Sequence, residues 1–285
     1  MIGTPFARRL VPARADIAAE HLRGAVEAER FVPGTRHSVA APLLDLSLSA
    51  TRTAGRDTQL LFGEIFTVYE TRTDGLAWGQ AALDGYVGYV AASGLTTPNP
   101  KGTRITALSS HLYPIADIRA KPTIELPFLA EVPVAGTTAG FARLRGGGHV
   151  PRPHLAPVTG DFVDQAARFL GAPYLWGGRS LAGLDCSALV QLALLATGIA
   201  APRDSDMQAS LLGRPLDTGE AGRRGDLVFW RGHVGILEDA EILLHANGHH
   251  MAVARERLGT AIDRIAAAGG GPVTARRRLE PEARE

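Results

Sequence analysis

The chain has 285 residues, 45% hydrophobic and 21% charged, with a formal net charge of +1. That composition suits a globular protein of one large or two to three small domains, and it excludes a global basic field for nucleic acid or anionic membranes. A single cysteine excludes an internal disulfide, and 33 glycines with 18 prolines point to turns and short strands rather than a helical bundle.

The N-terminal stretch "MIGTPFARRLVPARADIAAEHLRG" has no apolar run behind its arginines, so it does not read as a secretory signal. The protein is expected to be soluble and cytoplasmic. Residues 1–30 are expected to form an N-terminal helical segment, with a short amphipathic helix over 16–23. Asp16 would cap it, Ile17, Ala18 and Leu22 would share one side, and Gly24 would stop it. From 31 to 97 the texture changes. "TQLLFGEIFTVYE", "AWGQAAL" and "GYVGYVA" are short β-rich runs separated by "TRTDG", "DG" and "ASG", the pattern of a small antiparallel barrel. A fainter echo occupies 98–157. "LLFGEIFTV" resembles "LPFLAEVPV", and with one residue of slip Glu64 lines up with Glu131. Two copies of one small barrel are expected, the second without the tyrosines of the first.

After Pro157 the pattern changes again. "DFVDQAARFLG" reads as a capped helix ending in glycine. "GGRSLAGLD" then leads into an apolar helix pattern through Leu189, Val190, Leu192, Ala193 and Leu194, stopped by Gly198. This stretch, over 188–201, contains Gln191 and is too short to span a bilayer. "RRGDLVFWRGHVGILEDAEILLHANGH" offers three strand-like runs, and "GPVTARRRLEP" a final strand. A helical half followed by a strand meander is an α+β layout for 158–285. The tail past Glu280 is expected to fray.

Cys186 stands where the loop meets the apolar helix. A helix N-terminus offers unsatisfied N–H groups and the positive end of the dipole, both of which lower a thiol pKa and can hold an oxyanion. Taken alone, a lone cysteine is more often a buried structural residue. The histidines shift that balance. His233 in "RGHVGIL" and His245 in "ILLHANG" are 12 residues apart, a spacing that suits a hairpin bringing both to one end of a sheet. A thiolate needs an imidazole base, and the base needs a polar group to set its tautomer. Other chemistries are weaker. "HANGHH" lacks H-E-x-x-H and a cysteine pair, so no metal is expected, and neither a G-x-S-x-G elbow nor a P-loop is present. No cofactor is required.

The series "YLWGG", "LDCSALVQLAL", "PRDSDMQ", "GDLVFWRGHVGIL" and "ILLHANG" resembles the NlpC-type (NlpC/p60) cell-wall cysteine peptidases, a bacterial branch of the papain-like fold. The resemblance covers 158–285. It departs from the family at Ala188, where glycine usually follows D-C-S. It implies Cys186 as nucleophile, His233 as base and His245 as orienting third member, with the cysteine's own N–H helping to hold the oxyanion and the Tyr174 hydroxyl near the nucleophile. The barrel part resembles bacterial SH3-like domains. Two such barrels ahead of a papain-like NlpC-type domain resemble the γ-D-glutamyl-L-diamino acid dipeptidyl-peptidases, which trim murein peptides that carry a free N-terminal L-Ala. That resemblance implies a murein-derived peptide as partner, with neither nucleic acid nor membrane. It also implies Glu64 and Tyr86 from the first barrel, and Asp185, Ser187, Asp204 and Ser205 from the catalytic domain, as substrate-binding residues. Tyr89 is an alternative to Tyr86. Two other readings stand beside it: an endopeptidase acting on intact wall, and a non-catalytic wall-peptide binding protein.

Overall fold

The computed structural model describes residues 7–51, 55–217 and 219–279. It divides between Pro157 and Val158 into two compact units. The expected fraying past Glu280 lies outside the described residues.

The first unit is strand-rich. Seven strands form one antiparallel sheet: β1 (Thr35–Val39), β2 (Leu43–Ser47), β3 (Thr58–Leu61), β4 (Ile65–Thr71), β5 (Leu76–Ala81), β6 (Val87–Ala91) and β7 (Leu95–Thr96), in the order β3-β2-β6-β5-β4-β1-β7. The D-G pairs of the sequence are its turns. Gly75 and Gly85 both adopt positive φ, which an L side chain resists. Leu46, Leu60, Leu61, Phe66 and Val90 are buried in this sheet's core.

Residues 16–23 do not form the expected α-helix. Ile17, Ala18 and Ala19 are all fully buried, Ile17 packing with Trp78 and Val87 and Ala19 with Val11 and Leu22. The chain instead runs extended, pairing Ala18–Ala19 with Phe31–Val32, and then makes a single 3-10 turn over Glu20–Leu22. Arg14 fastens this segment to the sheet. Its guanidinium lies 4.5 Å from the Trp78 ring centre, donates to the Tyr89 hydroxyl (2.9 Å), and pairs with Asp16 (2.6 Å) and Glu70 (2.7 Å).

Residues 103–151 hold smaller sheets. Thr103–Arg104 pairs with Glu131–Val132, Ser109–Leu112 pairs with Ile124–Pro127, and Val134–Thr138, Phe141–Leu144 and His149–Pro151 form three strands. Ile105, Leu126, Ala130, Val132, Leu144 and Val150 make their core.

The second unit opens with helix α1 (Phe162–Ala167). Asp161 caps it, in a reciprocal pair in which each of Asp161 and Asp164 accepts from the other's backbone N–H. Helix α2 (Cys186–Ala196) is buried along nearly its whole length and packs on the sheet. Helix α3 (Ser205–Leu211) follows. The sheet holds six antiparallel strands, β8 (Arg214–Pro215), β9 (Asp226–Trp230), β10 (His233–Leu237), β11 (Ile242–Asn247), β12 (Ala252–Arg257) and β13 (Ala275–Arg278), in the order β8-β13-β9-β10-β11-β12. Strand β12 and the helix after it, α4 (Leu258–Ala267), go beyond the three runs and final strand read from the sequence. Leu258, Ala261, Ile262 and Ile265 have helical spacing and pack against Val228, Trp230, Leu237 and Leu243, so α4 covers one face of the sheet.

Candidate active site

The start of α2 is built by Asp185. Its Oδ1 accepts from the Ala188 N–H (2.8 Å), capping the helix, and its Oδ2 accepts from the Gly177 N–H (2.9 Å), tying down the W-G-G loop. Arg203 holds the same carboxylate with two parallel bonds, Nη1 to Oδ1 at 2.9 Å and Nη2 to Oδ2 at 2.7 Å. Nη1 also donates to the Ser187 hydroxyl (2.9 Å), which itself donates to Asp185 Oδ1 (3.2 Å). Arg203 is fully buried, as few arginines are without such a partner. Asp185 and Ser187 therefore build the frame of the site. Sequence reading passed over Arg203, although "PRDSD" places it beside Asp204.

Cys186 is the first residue of α2, and it is buried. A helix start by itself lowers a thiol pKa; the structure reverses the direction. Burial, then the neighbouring Asp185 carboxylate, push the thiol up to about 12, against smaller downward pulls from the Val234 N–H, Arg203 and the Ser187 N–H. Desolvation outweighs the dipole because the site is closed. The Tyr174 phenol is likewise pushed up to about 12, by burial and by the negative charge of Cys186 and Asp185, which places it beside the nucleophile. A raised thiol pKa means the free protein holds a thiol at neutral pH. The rate of Cys186 alkylation by iodoacetamide is therefore expected to climb about tenfold per pH unit from roughly pH 6 to pH 9. A plateau starting below pH 8 would show a preformed thiolate instead.

His233 starts β10, and the next residue, Val234, is the one whose N–H faces the Cys186 sulfur. Strand register explains how the histidines meet. Leu237 pairs with Leu243, and side chains alternate along a strand, so His233 and His245 share one face. Leu243 pairs with Glu256, so Glu256 joins them on the third strand. The three are diagonal neighbours across β10, β11 and β12, within reach of long side chains. His233 Nε2 lies 2.9 Å from His245 Nδ1. His245 is fully buried, and its Nε2 stands 3.2 Å from Glu256 Oε2, an ion-pair distance at an angle too poor for a well-formed hydrogen bond. Arg264 of α4 grips Glu256 from above, Nε to Oε1 at 2.9 Å and Nη2 to Oε2 at 2.7 Å. Burial, and next the Arg264 charge, bring His233 down to about 4, with Glu256 pulling the other way; burial also lowers His245. Both imidazoles are neutral at pH 7. Glu256 and Arg264 were missed in the sequence, although the spacing of α4 was there to be read.

Asp204 and Ser205 begin α3, directly after Arg203, so the Arg203–Asp185 pair brings that stretch toward the nucleophile's loop. Trp176, in the loop that Asp185 ties down, is 67% exposed, a large aromatic surface that sequence reading also passed over. Glu64 and Tyr86 belong to the first unit. Glu64 is buried, its Oε2 accepting from the Leu61 N–H (3.0 Å); Tyr86 is buried too. The Tyr89 hydroxyl is engaged by Arg14. His245, His250 and Glu256 bring donor atoms within 4.8 Å of one another, a set that could hold a metal ion. Arg264 already occupies both oxygens of Glu256, however, and its positive charge opposes a cation there.

Residues 171–266 match the model of the NlpC/P60 family. A Bacillus subtilis protein named gamma-D-glutamyl-L-lysine dipeptidyl-peptidase is 31% identical over 220 residues, covering 66% of this chain and 71% of its own. The chain belongs to the NlpC/P60 family. A Bacillus cereus protein of the same name is 28% identical over 213 residues, covering 66% of this chain and 63% of that one. Residues 48–95 match the bacterial dipeptidyl-peptidase Sh3 domain, so this NlpC/P60 protein carries an SH3-like domain ahead of its papain-like unit. A solved NlpC/P60 family protein from Bacillus cereus superposes with a TM-score of 0.72 at 19% identity, covering 87% of this chain and all of that one; the likeness concerns the fold. The relatives are named peptidases, and a buried cysteine at a helix start beside a histidine strand is the equipment of a cysteine peptidase.

Proposed function

We propose that this NlpC/P60 protein is a γ-D-glutamyl dipeptidyl-peptidase. It would hydrolyse the bond between D-Glu and the diamino acid in murein peptides that carry a free N-terminal L-Ala. The observation that carries this reading is the pairing of a dipeptidyl-peptidase type SH3 domain with the NlpC/P60 unit in one chain, which is 31% identical to a relative bearing that name. A dipeptide product suits peptide recycling in the cytoplasm. Residues 98–157 are read as a second SH3-like barrel. In support, Gly63 of "LLFGE" and Leu129 of "LPFLAE" both take positive φ at the echoed turn, and leucine does so rarely.

The mechanism follows from the resting charges. Cys186 is a thiol and His233 a neutral imidazole, so His233 takes the proton as sulfur attacks the γ-carbonyl carbon. The oxyanion forms beside the N-terminal turn of α2, where the Cys186 N–H is free of intrahelical bonding. His233 returns the proton to the leaving amine, and water, deprotonated by His233, resolves the thioester. Reading a chain end requires an anion for the substrate ammonium, and in the catalytic unit Asp204 and Ser205 are proposed as substrate-binding residues.

Mass spectrometry of L-Ala-γ-D-Glu-diaminopimelate after incubation tests the reading. Release of L-Ala-D-Glu is expected from the free-amine peptide, with at least about 100-fold less from its N-acetylated form, since acetylation removes the ammonium charge and the charge-assisted hydrogen bonds it donates. Equal cleavage of both would favour an endopeptidase. That second reading has an observation of its own: the protein named peptidoglycan endopeptidase RipB from Mycobacterium tuberculosis is 33% identical over 114 residues, covering 35% of this chain.

A further inference from the structure

His233 can take a proton from Cys186 in only one tautomer. Its Nε2 faces His245 Nδ1, so its Nδ1 is the nitrogen left for the thiol, and that nitrogen must be bare. The Nε2 of His233 then carries the hydrogen and donates to His245 Nδ1. His245 must in turn carry its own hydrogen on Nε2, the atom beside Glu256. A neutral imidazole chooses its tautomer by the partners it finds. Were His245 to carry its hydrogen on Nδ1, two N–H groups would face each other, and His233 would move its hydrogen to the nitrogen that ought to be the base.

We propose that Glu256, gripped by Arg264, is a positioning residue of this relay: its carboxylate accepts the Nε2 hydrogen of His245 and so holds both histidines in the tautomers that leave His233 Nδ1 open to Cys186. Three adjacent strands place His233, His245 and Glu256 in sequence on one face, and the burial of His245 leaves water no access to Nε2. Poor alignment at the Glu256 contact is usual for a free enzyme, where catalytic hydrogen bonds tighten once substrate binds. Arg264 also keeps Glu256 well below the usual carboxylate range, so that it stays an acceptor at neutral pH. A second effect follows from charge. As His233 becomes an imidazolium during attack, Glu256 stabilises it and Arg264 opposes it. The ionisable groups around the relay are Arg264 from α4, Glu256 from β12 and His250 from the turn after β11; around the thiol they are Asp185, Arg203 and Tyr174.

This inference rests on the thiol-peptidase reading, and nitrogen-15 NMR of histidine-labelled protein tests it without turnover. In the wild type, His245 is expected as the Nε2–H form. In Glu256→Gln, that form is expected to give way to a mixture, and the His233 titration midpoint to fall. In Arg264→Gln, the His245 tautomer should persist and the His233 midpoint should rise. Both variants break the same ion pair, so a purely structural role would move both midpoints the same way, and that result overturns the proposal. An Nδ1–H form of His245 in the wild type also overturns it, whether or not any murein peptide is cleaved. Where cleavage is measurable, Glu256→Gln should lower kcat about 10- to 100-fold with KM little changed. A folded Glu256→Gln protein with wild-type kcat again overturns the proposal.

Discussion

Cys186→Ala is expected to lower kcat/KM on a cleaved peptide by about 10⁴-fold or more, while leaving the fold intact. The magnitude follows from the way a nucleophile and its base act as a unit: removing the nucleophile leaves only binding and oxyanion stabilisation. Alanine fills nearly the same space at the buried first position of α2 and suits a helix, so a stability change of no more than about 1 kcal/mol is expected. His233→Ala should match it in rate loss, and the double variant should be scarcely worse than either single one, because neither residue catalyses without the other. Steady-state kinetics with a thermal melt beside each variant is the check. Additive losses in the double variant would mean that Cys186 and His233 do not serve one step.

Arg203→Met is expected to destabilise the second unit by about 3–5 kcal/mol in urea unfolding. The reason is an uncompensated charge. Arg203 and Asp185 are both buried and joined by two bonds of 2.9 and 2.7 Å. Methionine replaces the aliphatic length of arginine but leaves a buried carboxylate facing an apolar side chain. Asp185 also raises the Cys186 thiol, and Arg203 offsets part of that effect. The variant should therefore alkylate more slowly than wild type at a given pH. Adding Asp185→Asn removes the stranded charge, so the double variant should recover part of the loss, with a coupling of at least about 1 kcal/mol by a double-mutant cycle. A single variant as stable as wild type would show that the pair is solvated and that the cap on α2 does not depend on it.

The two units differ in how much of them can be read from a line of residues. In the first, D-G turns between β-rich runs mark a small antiparallel sheet, and the strands fall where the alternation and turns indicate. The N-terminal segment is the exception. Its spacing fits a helix, but Ile17, Ala18 and Ala19 are all drawn inward and Arg14 lies across Trp78, a fit that depends on residues some 60 positions away. In the second unit, the start of α2 at Cys186 is legible because a glycine-rich loop, a capping aspartate and an apolar helix follow one another locally.

The sequence by itself determined which chemistry the chain can perform: one cysteine at a helix start, and two histidines at hairpin spacing downstream. These are local facts of residue type and order. Only the tertiary structure decided how that chemistry is held. The direction of the thiol pKa, the Arg203–Asp185 frame and the line from His233 through His245 to Glu256 and Arg264 all depend on which strands pair, in which register, and which groups lose their water. Desolvation and cross-strand geometry are properties of the folded molecule, and no spacing along the chain encodes them directly.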